Sequence, residues 1–145
     1  MSTEAYKTMI RRVPEELFNR WNLDVADEVF APDYIEHTPL PPGFPTGLPG
    51  IKTWVTLLRA AFPDFRYTVE DSIAEDDKVV LRLTAQGTQK GEFLGMPATG
   101  MGATWTETHV CRIAKGKLAE HWVNADQLGM MQQLGVIAGA APVIG

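Results

Sequence analysis

Histidine side chains are the groups of this chain best suited to proton transfer near neutral pH. His109 and His121 lie close together in the stretch HVCRIAKGKLAEHWVNAD, and His37 lies far upstream. A neutral imidazole has a pKa near working pH and can act as acid or base. Glu107 precedes His109 by two positions, so the two share one face of any extended strand. These residues predict an acid/base cluster on a sheet, and hydrogen-bonded packing of the same side chains is the alternative.

The turn at Lys115-Gly116 decides whether the two neighbouring histidines share a face. A two-residue loop needs positive φ at both positions, which suits lysine poorly, and it would pair His109 with Trp122. A three-residue loop, 114–116, needs only the glycine in the left-handed region, and it pairs His109 with His121. A slip of one residue exchanges the faces of a strand. We favour the three-residue loop, which brings both histidines to one face.

With that register, one face of the hairpin mixes titratable and apolar groups, as a ligand pocket does. It reads Trp105, Glu107, His109, Cys111, Ala119, His121 and Val123. The reverse face carries Trp122, which we interpret as an interface or core residue.

The elements that carry these residues follow from the spacing of apolar side chains. Apolar residues recur every three or four positions over 6–21, 25–30 and 51–62, which predicts helices. We expect Pro14 to kink the first helix or start a second, and Asp24 to cap the next one before Pro32 ends it. Residues 38–50 hold five prolines and three glycines, which predicts a stiff loop without regular structure.

Further along the chain the apolar period changes to two. Strands are expected at 65–69, 79–83, 103–113 and 117–124, with a short final helix whose capping box is Asn124 and Gln127. Helices first and antiparallel strands afterwards indicate the α+β class. The length of 145 residues favours one domain, 1–145.

Composition narrows the classes of partner. A formal net charge of −5, without a block of like charge, argues against nucleic acid or an anionic membrane as partner. No apolar run reaches transmembrane length and the first residues lack a signal-peptide core, so a cytoplasmic location is expected. The single cysteine, Cys111, and three irregularly spaced histidines make a poor metal-ligand set.

Four stretches together resemble the SnoaL-like polyketide cyclase and ester cyclase group of the NTF2-like superfamily. They are LFNRWNLDVADEVFAPDYIEH, AFPDFRYTVED, GTQKGEFLGMPATG and GKLAEHWVNADQLGMMQQLG, and they span nearly the whole chain. The resemblance implies a cone-shaped α+β domain in which a strongly curved antiparallel sheet wraps N-terminal helices around a mostly apolar cavity. It also implies a homodimer formed through the outer sheet surface.

The resemblance further implies ring closure by an intramolecular aldol condensation, with no metal or organic cofactor. The family's histidine matches His109. Its aspartate usually follows the tryptophan of a His-Trp-Asp run, but that position is Val123 here, so the carboxylate is missing. The nearest later carboxylate is Asp126.

These observations support two hypotheses. In the first, the protein is an enzyme acting on a small to medium apolar carbonyl compound, as a cyclase or a related isomerase, dehydratase or hydrolase. His109 is then the main acid/base, with Glu107 or Asp126 as its carboxylate partner. The expected substrate contacts are Tyr34, His37, Trp54, Phe62, Trp105 and His121. In the second hypothesis the protein binds a small molecule without chemistry, as the missing carboxylate suggests.

Overall fold

The structure, a computed structural model, describes residues 2–138. Within these residues the structure has four α-helices and five strands, which confirms the predicted α+β class. The helices are α1 (Thr3–Arg12), α2 (Asp24–Val29), α3 (Gly47–Ala61) and α4 (Gln127–Gln133). The strands are β1 (Phe30–Glu36), β2 (Arg66–Glu75), β3 (Lys78–Thr88), β4 (Gly102–Ala114) and β5 (Lys117–Ala125).

The first helix continues beyond Pro14 in a wider form. Val13–Phe18 is a π-helical turn, in which the Asn19 N–H donates to the Pro14 carbonyl at 3.1 Å. Proline lacks the N–H for the bond to Ile10, and the wider turn accommodates that loss. The Asn19 side chain then bonds the backbone N–H and carbonyl of Tyr67 at 2.8 and 2.9 Å, which fixes this segment against β2.

The sheet has the order β1-β5-β4-β3-β2, and one of its strands was not expected. Phe30–Glu36 forms β1, although Pro32 was predicted only to end a helix. Proline is tolerated there because β1 is an edge strand. The other three pairs are antiparallel, as predicted, whereas the pairing of β1 with β5 is parallel.

The β4–β5 hairpin has the two-residue loop, so the predicted three-residue loop is wrong. Lys115 and Gly116 have φ of 51° and 74°, as a type I′ turn requires. The pairing shifts between Arg112 and Ile113, where Ala119 is an extra residue in β5. The shorter loop shifts the strand register by one residue, and this β-bulge shifts it by one residue more, so the side chains of β5 beyond the bulge face the side that was predicted. The residues predicted to share a face with His109 therefore do so by a different route, except Ala119, whose place on that face is taken by the buried Leu118.

Two helix starts also differ from the predictions. α3 begins at Gly47, so the last part of the 38–50 stretch is helical, and Pro49 is tolerated because the first helical turn needs no N–H partner. α4 is capped by Asp126, whose carboxylate accepts from the Gly129 N–H at 2.9 Å, and the predicted cap Asn124 lies in β5. Likewise, Leu23 precedes α2 as its capping residue, and Asp24 is already in the helix.

The core lies between the helices and the inner face of the sheet. Along β4 the residues alternate strictly between buried and exposed from Gly102 to His109. The inner face contributes Ala103, Trp105, Glu107, His109, Cys111 and Ile113, all buried. No helix in residues 2–138 is long and apolar enough to span a membrane.

Candidate active site

A cavity of about 170 Å³ lies between the inner face of the sheet, α3 and the proline-rich residues that precede α3 in the 38–50 stretch. Apolar side chains form most of its wall, including Phe30, Ile51, Trp54, Leu58, Phe93 and Met130. The polar groups on the wall are Tyr34, Glu36, Tyr67, Glu107, His109 and His121, together with Thr38 and Gln127. A few polar groups on an apolar wall are typical of small-molecule sites.

Glu107 is a buried carboxylate that accepts three hydrogen bonds from side chains. Its Oε1 accepts from the Tyr67 hydroxyl at 2.7 Å and pairs with His109 Nε2 at 2.7 Å. Its Oε2 accepts from Trp105 Nε1 at 2.8 Å. Burial by itself raises the pKa of Glu107, but the hydrogen bond and charge of His109, with the two other donors, outweigh it and lower the pKa.

The two imidazoles join Glu107 to a second buried carboxylate. His109 Nδ1 lies 2.9 Å from His121 Nε2, and His121 Nδ1 lies 2.7 Å from Glu36 Oε1. The four side chains, between 9% and 13% exposed, form one chain in the order Glu107, His109, His121, Glu36. We call it the carboxylate–imidazole chain.

The geometry of this chain determines how many protons it holds. Each of its three contacts joins two ring nitrogens, or a ring nitrogen and a carboxylate oxygen, and needs one hydrogen. With both carboxylates ionised, His109 and His121 together hold one proton more than two neutral rings. Burial lowers the pKa of His121 and the charge of His109 lowers it further, against the opposing effect of Glu36.

Glu36 and Tyr34 place two further polar groups on the cavity wall from β1. Burial raises the pKa of Glu36, but its hydrogen bond to His121, the charge of His121 and contacts with Thr38 lower it overall. Burial and the charge of Glu36 both raise the pKa of Tyr34, so its hydroxyl stays protonated. Within residues 2–138 that hydroxyl has no hydrogen-bond partner, which leaves it free to donate to a ligand.

Several of the predicted ligand contacts lie on the cavity wall. Tyr34, Trp54, Trp105 and His121 line it. Phe62 does not: it is fully buried behind the wall and packs against the rings of Phe93 and Trp105, with centroids 5.3 and 5.8 Å apart. Whether the lining residues contact a substrate remains a prediction.

Two further predicted site residues lie outside the cavity. His37 projects to the outer face, where its ring stacks on Trp122 at 4.5 Å and Nε2 lies 3.1 Å from Glu120. Its direction follows from strand alternation, because Tyr34 and Glu36 point inward. Asp126 is exposed and caps α4, so its carboxylate does not contact the carboxylate–imidazole chain. Neither position fits the role that we expected.

Two residues of the site were not recognised from the sequence. Glu36 was passed over because β1 was not expected, although Tyr34, Glu36 and Thr38 alternate as strand residues do. Tyr67 was assigned to a strand but not to the site, because a tyrosine that alternates with Phe65 and Val69 also fits an ordinary core position. Within residues 2–138 no group of histidine, cysteine and acidic side chains could hold a metal ion.

A curved sheet, N-terminal helices and an inner cavity with buried acid/base groups define a class of small α+β domains. Comparison with known proteins identifies the family: a model of SnoaL-like polyketide cyclases matches residues 8–134, and this chain belongs to that family, with its NTF2-like fold.

Individual relatives agree with this family. Nogalonic acid methyl ester cyclase of Streptomyces nogalater is 32% identical over 119 residues, which cover 81% of this chain and 89% of the relative. Aklanonic acid methyl ester cyclase of Streptomyces peucetius is 32% identical over 140 residues, covering 93% and 92%. The structure of TsrD from Streptomyces laurentii has a TM-score of 0.86 at 26% identity and covers 94% of this chain and 99% of that chain.

Proposed function

We propose that this protein is a polyketide cyclase that closes a ring in a methyl ester substrate by moving protons at a carbon next to a carbonyl. The observation that carries the proposal is the carboxylate–imidazole chain on the wall of an apolar cavity. Two relatives named as methyl ester cyclases support the substrate class. The side chains themselves supply the acid/base groups, so the proposed reaction uses no metal or organic cofactor.

The chemistry proposed here is an intramolecular aldol addition. A base removes a proton from a carbon next to a carbonyl, and the electron pair of the C–H bond forms an enolate. The enolate carbon attacks a second carbonyl carbon, a C–C bond forms, and the resulting alkoxide takes up a proton. The free hydroxyl of Tyr34 is suited to donate to the enolate oxygen. Substrate and product are isomers, so no co-reactant is needed.

The cavity volume bears on how much of the substrate is enclosed. Its volume of about 170 Å³ is close to the ~150 Å³ of an apolar cavity that accommodates benzene. The cavity therefore encloses roughly one ring of a polyketide, and the rest extends past its exposed rim, which includes Pro39, Leu40 and Leu94. An apolar carbonyl compound is thus the partner that we propose, in a cytoplasmic protein that binds neither nucleic acid nor membrane.

The experiment follows ring closure of aklanonic acid methyl ester and nogalonic acid methyl ester by chromatography and NMR. The wild-type protein should convert at least one of them, and His109→Ala should lose about two orders of magnitude in rate. The binding constant should change much less. His37→Ala is the matched control on the outer face and should keep the wild-type rate. Failure of the wild type to convert either ester would contradict the proposed substrate class.

A second candidate function is ligand binding without chemistry. It is favoured by one observation: every ring nitrogen of His109 and His121 already has a partner inside the carboxylate–imidazole chain. Such a chain can serve packing alone. Tight binding of an ester with no conversion, and with the ester chemically unchanged in D₂O, would favour this candidate.

We further propose a homodimer formed through the outer face of the sheet. Ile35 is 52% exposed on β1, and the stacked pair of His37 and Trp122 lies on the same outward side. Light scattering coupled to size-exclusion chromatography should give twice the mass of 16.0 kDa, and Ile35→Glu should shift the mass towards the monomer.

A further inference from the structure

The groups of the carboxylate–imidazole chain differ in how much acceptor capacity they have left for a ligand. All four ring nitrogens of His109 and His121 are engaged. Glu107 accepts three close hydrogen bonds, at 2.7 to 2.8 Å. Glu36 accepts one close bond, from His121, and otherwise has only weaker contacts with Thr38, from its N–H at 3.3 Å and from its side chain. An ionised carboxylate has about four acceptor positions, so Glu36 retains the most open capacity.

The position of Glu36 also suits contact with a ligand. It lines the cavity from β1, and its side chain is 13% exposed, against 9% for Glu107. The segment that follows, Thr38 to Pro41, lines the cavity and includes exposed residues, so Glu36 lies near the rim rather than deep in the wall. Tyr34 lines the same cavity two positions earlier on the strand, within roughly 7 Å along the backbone.

We propose that Glu36 is the catalytic base of the ring closure and contacts the reacting carbon of the substrate. This inference rests on the proposed function. The Glu36 carboxylate takes the proton from the carbon next to the carbonyl, and the C–H electron pair passes into the enolate. After the C–C bond forms, Glu36 returns that proton to the alkoxide oxygen and is again ionised. The step is balanced without any other reactant.

The other members of the chain are positioning residues in this scheme. The Nδ1–H of His121 donates to Glu36 Oε1 and holds the carboxylate in one orientation. His109 and Glu107 fix the tautomer and ring position of His121 from behind, as a second carboxylate behind an imidazole does in other acid/base sites. The positive charge shared by the two rings keeps Glu36 ionised before it accepts a proton.

A pair of probes tests the open acceptor without relying on the natural substrate. 2-Naphthol presents an O–H donor, whereas 2-methoxynaphthalene keeps the rings and lacks the donor. Calorimetry should show that the wild type binds 2-naphthol at least ten-fold more tightly, as expected for a hydrogen bond to a charged group. Glu36→Gln keeps an acceptor for His121 but loses the charge, and it should lose this preference. Asp71→Asn removes an exposed carboxylate outside the cavity and should keep it.

The outcomes are distinct. Glu36→Asp restores a carboxylate and should recover part of the preference for 2-naphthol, which separates loss of charge from loss of folding. Circular dichroism checks that each variant is folded. A preference for 2-naphthol that survives in Glu36→Gln would overturn the assignment. So would a wild-type protein that shows no preference between the two probes.

Conversion of the two methyl esters tests the proposed function separately. If the wild type converts one of them, Glu36→Gln should lower the rate by at least two orders of magnitude while the binding constant changes only a few-fold. A rate within ten-fold of the wild type would overturn the role of Glu36. If the wild type converts neither ester but shows the naphthol preference only with Glu36 intact, the substrate class is wrong and the open acceptor stands.

Discussion

Replacing Glu107 by leucine measures what the buried end of the carboxylate–imidazole chain contributes to stability. Leucine has similar size but no acceptor, so the Tyr67 hydroxyl and Trp105 Nε1–H lose their partner. Each buried donor left without a partner costs about 1–3 kcal/mol, and breaking a buried charge pair costs about 3–5 kcal/mol. The apolar burial of the leucine side chain offsets part of that loss. We therefore expect Glu107→Leu to lower the unfolding free energy by about 4 kcal/mol.

Thermal and urea denaturation at pH 7 measure this change. For a chain of this length, about 4 kcal/mol corresponds to a Tm lower by roughly 12 °C. Asp71→Asn is the matched control, because Asp71 pairs with Arg82 on the surface with both side chains about half exposed. Such pairs contribute less than about 1 kcal/mol. A loss for Glu107→Leu no larger than that of Asp71→Asn would refute the structural importance of the buried contacts.

The same comparison has a predicted pH dependence. Because the folded protein lowers the pKa of Glu107, the ionised carboxylate contributes stability above its ordinary pKa, about 4.3. That contribution disappears as pH falls through the lowered folded value. The gap between the wild type and Glu107→Leu should therefore narrow below about pH 4.3, and a gap that widens there would contradict the direction of the shift.

Three further predictions concern separate parts of the fold. The unfolding free energy should fall as pH is lowered from 6.5 to 5, by at most about 1.4 kcal/mol per pH unit. Burial and the charge of His109 lower the pKa of His121, so the unfolded protein takes up this proton at a higher pH than the folded protein. An unfolding free energy from urea denaturation that does not change over this pH range would count against the prediction. Lys115→Asn should raise the unfolding free energy by about 0.5 kcal/mol, because asparagine tolerates the φ of 51° better; an unchanged urea midpoint would argue against the strained turn. Asp126→Ala should lower the unfolding free energy by about 1 kcal/mol through loss of the cap on Gly129, with ester conversion unchanged; a lost activity would restore Asp126 as a site residue.

The inner face of the hairpin was predictable because strand alternation preserves it over several residues. Glu107, His109 and His121 share that face as expected. The turn was predicted wrongly because positive φ is costly for lysine, and the fold accepts that cost at Lys115. The bulge at Ala119 carries no sequence signal of its own, since alanine fits both regular and bulged strands. A wrong turn prediction leaves the predicted strand faces correct only when a second one-residue register shift offsets the first.

The carboxylate at the other end of the chain could not be predicted because it depends on a pairing between distant segments. Glu36 pairs with His121 across a parallel contact between β1 and β5, and nothing near Glu36 in sequence indicates that partner. The short strand contains Pro32, which locally favours a helix end, so its alternation was not read as a strand. His37 was expected at the cavity mouth because of the family resemblance. Strand parity then turned His37 outward and its neighbour inward.

The same edge strand accounts for how this chain can lack a carboxylate at Val123 and still bring one to the cavity. Val123 lies on β5, and its N–H donates to the Thr38 hydroxyl at 3.1 Å, which ties β5 to the segment just beyond β1. That contact and the pairing of Glu36 with His121 bring the Glu36 carboxylate alongside the histidine from the neighbouring strand. A carboxylate can therefore reach one site from either of two paired strands. Its position in the sequence alone does not show whether the site has one.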